Sequence, residues 1–272
     1  MNIAMIALDL DGTALQPDHL TISPRMEKTL QKAHDRGIAI VPVTGRPYGL
    51  LPPFLKAHPQ WESFAILCNG AEERDMKTGR VTAHAPLDQS HIRMVLEEAK
   101  RFDLPVELNA GGKLYLTKKT LQQEKKEPKL LFHCTVFLKE HGIFVEDLSE
   151  LSGLSVEKIH LNCIPEPVWP EVQRALSGLP VSVVCEKPPN LEVTHKTATK
   201  GQGLSRLCSR LSIPMDQVMA IGDSGNDLSM LESVGLPVAM ATAPERIQRA
   251  AAYVTGSNLA DGAAEAICRF AL

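Results

Sequence analysis

The chain has 272 residues, which at about 150 residues per domain is too long for one simple domain and tight for two. Its 29 Lys+Arg against 32 Asp+Glu leave a formal net charge of −3, which argues against a protein that grips nucleic acid through bulk positive charge. Apolar residues at 44% and charged residues at 22% exclude the apolar-poor, highly charged composition of disorder and allow a sizeable core.

No apolar run approaches the roughly 20 residues that cross a bilayer. The N-terminal run 2–8 lacks a basic flank and stops at Asp9, so no export signal is visible. The six cysteines (Cys68, Cys134, Cys163, Cys185, Cys208, Cys268) are scattered without a CxxC pair, which points to packing roles in a reducing cytoplasm rather than to zinc or disulfides.

In chain order, the run 3–8 reads as a buried strand. Pro24 opens a helix whose Met26, Leu30 and Ala33 recur at helical spacing before Gly37 ends it. A strand over 38–43 follows, then a helix opened by Pro47 and shortened or bent by Pro52 and Pro53, then a strand over 64–68. Short apolar strands alternating with helices predict a parallel sheet covered on both faces. A hairpin over 72–85 turns at Thr78-Gly79.

From 86 to 190 the pattern becomes α+β. An amphipathic helix spans 91–102 through Ile92, Val95, Leu96 and Ala99, and strands over 106–108 and 114–116 flank a Gly111-Gly112 turn. Further strands lie over 159–164 and 181–185. The stretch 118–151 is ambiguous, with a helix over 134–141 and lysines that read as a solvated face. The first rhythm then returns: a helical stripe of Leu204, Leu207, Cys208 and Leu211, a strand over 218–221, a helix over 228–231, a strand over 236–240, a helix opened by Pro244 and a last helix over 259–270. The expectation is a core made of 1–85 and 191–272, with 86–190 inserted.

The first strand runs into Asp9-Leu10-Asp11-Gly12-Thr13. Alternate side chains of an extended chain share a face, so Asp9 and Asp11 are expected to be directed to one region, where a divalent cation or a shared proton would relieve their repulsion. A loop in which Asp only caps a turn fits the same residues. Thr44-Gly45, between a strand and a Pro-started helix, could make an anion-binding corner or be local turn chemistry. Lys200 stands before a helix, where the dipole disfavours a cation, so an anion there or an outward-turned side chain would explain it. The strand over 218–221 leads into Gly222-Asp223-Ser224-Gly225-Asn226-Asp227, and capping explains one of these polar residues but not three.

In order and placement these four clusters resemble those of the haloacid dehalogenase superfamily of phosphohydrolases: DxDGT at Asp9 to Thr13, the Thr of the second motif at Thr44, the Lys of the third at Lys200 and GDxxND at Gly222 to Asp227. The insert resembles the type C2B cap of the Cof-like branch, and Asn69-Gly70-Ala71, Leu191-Glu192-Val193 and Asp261-Gly262 agree with that branch. Ala14 and Thr197 depart from its usual residues without touching a reacting group.

The resemblance implies a Rossmannoid α/β core with a cap that sets specificity, and an Mg²⁺-dependent phosphatase acting on a small phosphorylated metabolite such as a sugar phosphate, FMN or pyridoxal phosphate. Asp9 is implied as nucleophile and Asp11 as general acid and base. Mg²⁺ is implied on Asp9, the Asp11 carbonyl and Asp223, with Lys200 neutralising charge. Leu10, Thr44, Gly45 and Asn226 are implied on the phosphate, and Asp227 behind the metal or Lys200. A sugar phosphomutase of the same fold is the nearest alternative. A non-catalytic phosphate-binding regulatory protein is an alternative of another class. Dinucleotide binding lacks the GxGxxG that would have to follow the first strand. Neither nucleic acid nor membrane is expected as a partner.

Overall fold

The structure is a computed structural model that describes residues 2–57, 63–131, 133–151, 153–185 and 189–272. In chain order its strands and helices are β1 (Met5–Leu8), α1 (Pro24–Asp35), β2 (Ala39–Pro42), α2 (Pro53–Ala57), β3 (Phe64–Leu67), β4 (Glu72–Asp75), β5 (Val81–His84), α3 (Gln89–Arg101), β6 (Val106–Ala110), β7 (Lys113–Thr117) and α4 (Lys118–Glu124). There follow α5 (Leu138–His141), β8 (Gly142–Val145), β9 (Val156–Leu161), α6 (Trp169–Ser177), β10 (Val181–Val184), β11 (Leu191–His195), α7 (Lys200–Leu211), β12 (Val218–Gly222), α8 (Leu228–Leu231), β13 (Leu236–Met240), α9 (Glu245–Arg249), β14 (Tyr253–Thr255) and α10 (Gly262–Phe270).

The chain divides into two compact units. The first comprises Met1–Gly45, Leu51–Ala83 and Thr199–Leu272; the second comprises Arg46–Leu50 and His84–Ala198.

In the first unit a parallel sheet has the order β14-β13-β12-β1-β2. Each of the four β1 side chains is buried, which is why that strand is apolar throughout instead of alternating. β3 joins this sheet through one parallel bridge, Val43 to Ile66, and also leads the antiparallel sheet β3-β4-β5. Helix α1 begins as its sequence predicts: Ser23 caps it, its side chain accepting from Met26 N–H at 2.9 Å, Pro24 follows, and Met26, Leu30 and Ala33 are buried. The short strand β14 is an addition to the expected pattern.

Two expectations about the middle of the chain are corrected. Pro47 opens only a short turn, Tyr48–Leu50, because Pro52 and Pro53 follow at once, and that turn belongs to the second unit. Leu191 does not restart the core: β11 pairs antiparallel with both β9 and β10, and Leu191 and Val193 are buried in the second unit's core, so that unit continues to Ala198. Its sheet has the order β10-β11-β9-β6-β7-β8, with α3 and α6 supplying apolar residues such as Val95 and Val172 to the same core. The ambiguous stretch contains α4, a wide helical turn His133–Phe137, α5 and β8.

Among the described residues no helix is long and apolar enough to cross a membrane.

Candidate active site

β1 lies between β12 and β2, so its carboxyl end is adjacent to those of both neighbours. Asp9 N–H donates to Ile221 C=O at 3.0 Å, which brings the first aspartate next to the loop that follows β12. Open parallel sheets bind ligands at this edge.

Beyond Asp9 the chain does not stay extended. Residues Leu10–Ala14 curl into one wide turn, closed by Leu15 N–H to Leu10 C=O at 2.9 Å, with Gly12 at φ 82°. Asp9 and Asp11 are thus joined by a turn and not by the extended chain read from the sequence. The Asp11 carboxylate is partly exposed and lies 2.7 Å from His19 Nδ1, while the buried acidic cluster is made by Asp9, Asp223 and Asp227. One carboxylate oxygen of each of these three lies within 4.8 Å of the others.

Lys200 is the first residue of α7, after the cap Thr199, and its side chain is fully buried. Its Nζ donates to Asp9 Oδ1 at 2.7 Å and to Asp227 Oδ1 at 2.6 Å. The unfavourable position at a helix N-terminus is thus outweighed by two carboxylates at contact distance. Burial opposes the ammonium, but Asp227 and Asp9 overcome it and hold the proton on Lys200 more tightly than usual. Asp9 is pushed well above the usual carboxylate range, first by burial and then by Asp227 and Asp223, with Lys200 pulling the other way.

The two oxygens of Asp227 are both engaged. Oδ1 accepts from Lys200, and Oδ2 accepts from Asp223 N–H and Ser224 N–H, each at 2.9 Å. Gly222 leaves room for this, since a Cβ there would stand 2.4 Å from Asp227 Cγ. By contrast, Asp9 Oδ2 is buried with no hydrogen-bond partner, and so is Thr13 Oγ1. Three carboxylates against one ammonium leave negative charge unbalanced, and a hard divalent cation is what an oxygen donor set of this kind accepts. The residues fit such an ion, with Asp9 Oδ2 and Asp223 as the side-chain donors.

The other anticipated residues lie in the same unit. Thr44 follows the end of β2, its N–H donating to Ile66 C=O at 2.9 Å and its C=O accepting from Asn69 N–H at 3.1 Å; Gly45 comes next. Leu10 and Asn226 are buried, and Asn226 Nδ2 donates to Asn69 Oδ1 at 3.2 Å. Sequence reasoning passed over His19 and gave Asn69 no role of its own. Asn69 carried one usable signal, an Asn-Gly pair just past a buried strand, and it adopts the left-handed backbone, φ 56°, that such a pair favours.

With this geometry in place, comparison with known proteins identifies the class. Haloacid dehalogenase-like hydrolases match residues 6–267, and the chain belongs to that family, as a phosphatase of its Cof-like branch. It is 27% identical over 273 residues to the 5-amino-6-(5-phospho-D-ribitylamino)uracil phosphatase YcsE of Bacillus subtilis (strain 168), covering 100% of this chain and 97% of the relative. It is 28% identical over 294 residues to the pyridoxal phosphate phosphatase YbhA of Escherichia coli (strain K12), covering 98% of each. Among solved structures it superposes on a haloacid dehalogenase-like hydrolase from B. subtilis with a TM-score of 0.84 at 26% identity, covering 99% of this chain and 100% of the other.

Proposed function

We propose that this phosphatase hydrolyses small phosphorylated metabolites through an aspartyl-phosphate on Asp9, with Mg²⁺ as its metal. The observation that carries the reading is the state of Asp9: one oxygen is anchored by Lys200 at 2.7 Å while the other is buried and unbonded at the edge of the parallel sheet. A carboxylate held by Lys200 at one oxygen and open to a metal at the other is fixed in orientation for nucleophilic attack.

In the first step a bond forms between an Asp9 oxygen and phosphorus as the phosphorus–oxygen bond to the leaving group breaks. Asp11 gives its proton to the departing oxygen. In the second step Asp11 takes a proton from water, the water oxygen attacks the aspartyl-phosphate, and Asp9 is released with inorganic phosphate. Lys200 neutralises charge where nucleophile and phosphate meet, and Asp227 holds Lys200 in place. Leu10 N–H, Thr44, Gly45 N–H and Asn226 position the phosphate oxygens. Mg²⁺, held by Asp9, the Asp11 carbonyl and Asp223, would supply the charge neutralisation that lets an anion approach an anion.

The inserted residues are proposed to set substrate choice. The printed substrates of the two relatives, a phosphorylated ribitylamino-uracil and pyridoxal phosphate, support a phosphorylated small molecule and differ enough to leave a sugar phosphate in play. The test is phosphate release from a panel of such compounds, with and without EDTA, for the native protein and Asp9→Asn. Loss of turnover in Asp9→Asn, and loss in EDTA that Mg²⁺ restores, are expected. Turnover that survives either treatment would falsify the scheme.

A further inference from the structure

A second group of ligand-type side chains converges within the inserted unit. On β6 and β9, Leu108, Ile159 and Leu161 face the unit's apolar core, so the alternating positions Glu107, His160 and Asn162 face the other way. Glu107 and His160 stand opposite each other in the antiparallel register. α4 adds Glu124 to this polar face, and the turn His133–Phe137 adds His133. His133 Nε2 lies 2.7 Å from Glu107 Oε1, and one ligand atom each of Glu107, Glu124 and His133 lies within 4.8 Å of the others.

Three features distinguish this group from an ordinary ion pair. Glu107 and Glu124 are both buried and close together, so their two negative charges need positive charge or a proton beside them. Asn162 is fully buried, and its Nδ2 donates to Glu124 Oε1 at 2.7 Å. Its Oδ1, on the same side-chain amide, is buried with no partner. The imidazole of His160, whose Nδ1 is 3.7 Å from Glu107 Oε2, likewise has a buried Nε2 with no partner. Protonating Glu124 would settle the charge but would leave the Asn162 oxygen unsatisfied. A cation answers both.

We propose that Glu107, Glu124, His133 and the Asn162 side-chain oxygen form a divalent transition-metal site in the inserted unit, separate from the aspartate cluster. The donor set decides the class of ion. Imidazole with carboxylates suits Zn²⁺ or Mn²⁺, whereas Mg²⁺ and Ca²⁺ take oxygen donors almost exclusively. The ligands come from β6, α4, the turn at 133 and the residue just after β9, so the ion would pin the α4 region to the sheet.

Zn²⁺ is the probe. The full chain carrying Asp223→Asn, which weakens the aspartate cluster, is stripped with chelator and loaded with one equivalent of Zn²⁺. Zinc-edge X-ray absorption is expected to show imidazole coordination, which the aspartate cluster, made only of carboxylates, cannot provide. Adding Glu124→Gln or His133→Gln is expected to weaken Zn²⁺ binding by about a hundredfold in equilibrium dialysis, with an unchanged circular dichroism spectrum certifying the fold. Absence of imidazole scattering overturns the proposal, as does undiminished Zn²⁺ affinity in both folded variants. Because absorption is read on protein with this cluster intact, a misfolded variant leaves the proposal open to refutation.

Discussion

Asp11 Oδ1 lies 2.7 Å from Nδ1 of His19, a residue eight positions on whose backbone is left-handed at φ 58°. The side chain proposed as acid and base is therefore in contact with a neighbour in its own loop. Removing that neighbour takes away one contact that orients the carboxyl group while leaving the group itself in place. His19→Ala is expected to lower kcat by about tenfold with little change in KM, and Asp11→Asn by the ~10²–10⁴ typical of a lost general acid. With p-nitrophenyl phosphate, whose leaving group needs little protonation, Asp11→Asn should lose less in the first step than with an alkyl phosphate. Equal losses on both substrates in single-turnover kinetics would remove Asp11 from the leaving-group step.

Lys200 connects Asp9 to Asp227 with no exposed surface of its own. Lys200→Met leaves those carboxylates facing each other without the ammonium. Breaking a buried pair in this way costs about 3–5 kcal/mol, visible as a lower Tm in EDTA. Added Mg²⁺ should recover part of the loss, because a divalent cation replaces some of the missing charge. A variant as stable as the native protein in chelator would mean that the acids neutralise themselves by protonation.

Gly12 is where the turn after Asp9 has no room for a side chain. Its φ is 82°, and a Cβ there would stand 2.3 Å from Asp223 Oδ2. Gly12→Ala is expected to cost about 1–3 kcal/mol in backbone strain and to displace the Asp223 carboxylate. Calorimetric titration with Mg²⁺ should then show weakened binding. Full metal affinity in a folded Gly12→Ala protein would take Asp223 out of the proposed ligand set.

Burial pushes the Cys208 thiol up to about 11, and its Sγ faces Met5 Sδ at 3.7 Å inside the core. At pH 8 Cys208 is thus almost wholly protonated and inert, whereas Cys268 is exposed. Iodoacetamide at pH 8 should label Cys268 in the native protein long before Cys208, as read by peptide mass spectrometry. Labelling of Cys208 should become appreciable only as the pH approaches 11 or the protein unfolds. Early labelling of Cys208 would show that the contact between α7 and β1 opens easily.

The core was legible because each of its elements obeys one rule at a time. Met5 to Leu8 is apolar at every position, as a strand buried on both faces must be, and Ser23-Pro24 announces the start of α1. The candidate site residues stood out because polar clusters that interrupt such strands have no packing explanation. The path beyond Asp9 was not legible, since the turn over Leu10–Ala14 interrupts strand alternation and only the three-dimensional structure shows it. The end of the inserted unit was misplaced for a related reason: Leu191 and Val193 alternate like any half-buried strand, and which sheet they complete depends on partners more than 30 residues earlier, such as Ile159. The same long range hid the cluster around Glu107, whose members lie on β6, on α4, in the turn at 133 and just after β9.

The short segment Arg46–Leu50 belongs to the inserted unit although it comes well before the rest of it. Its Gly49 N–H donates to Gly112 C=O at 3.0 Å, and a Cβ on Gly49 would press within 2.5 Å of that same oxygen. A chimera that exchanges only residues 84–198 with a relative would therefore carry a mismatched fragment of the old unit. Exchanging the whole unit needs two cassettes, the long one and the five residues that dock on its glycine turn.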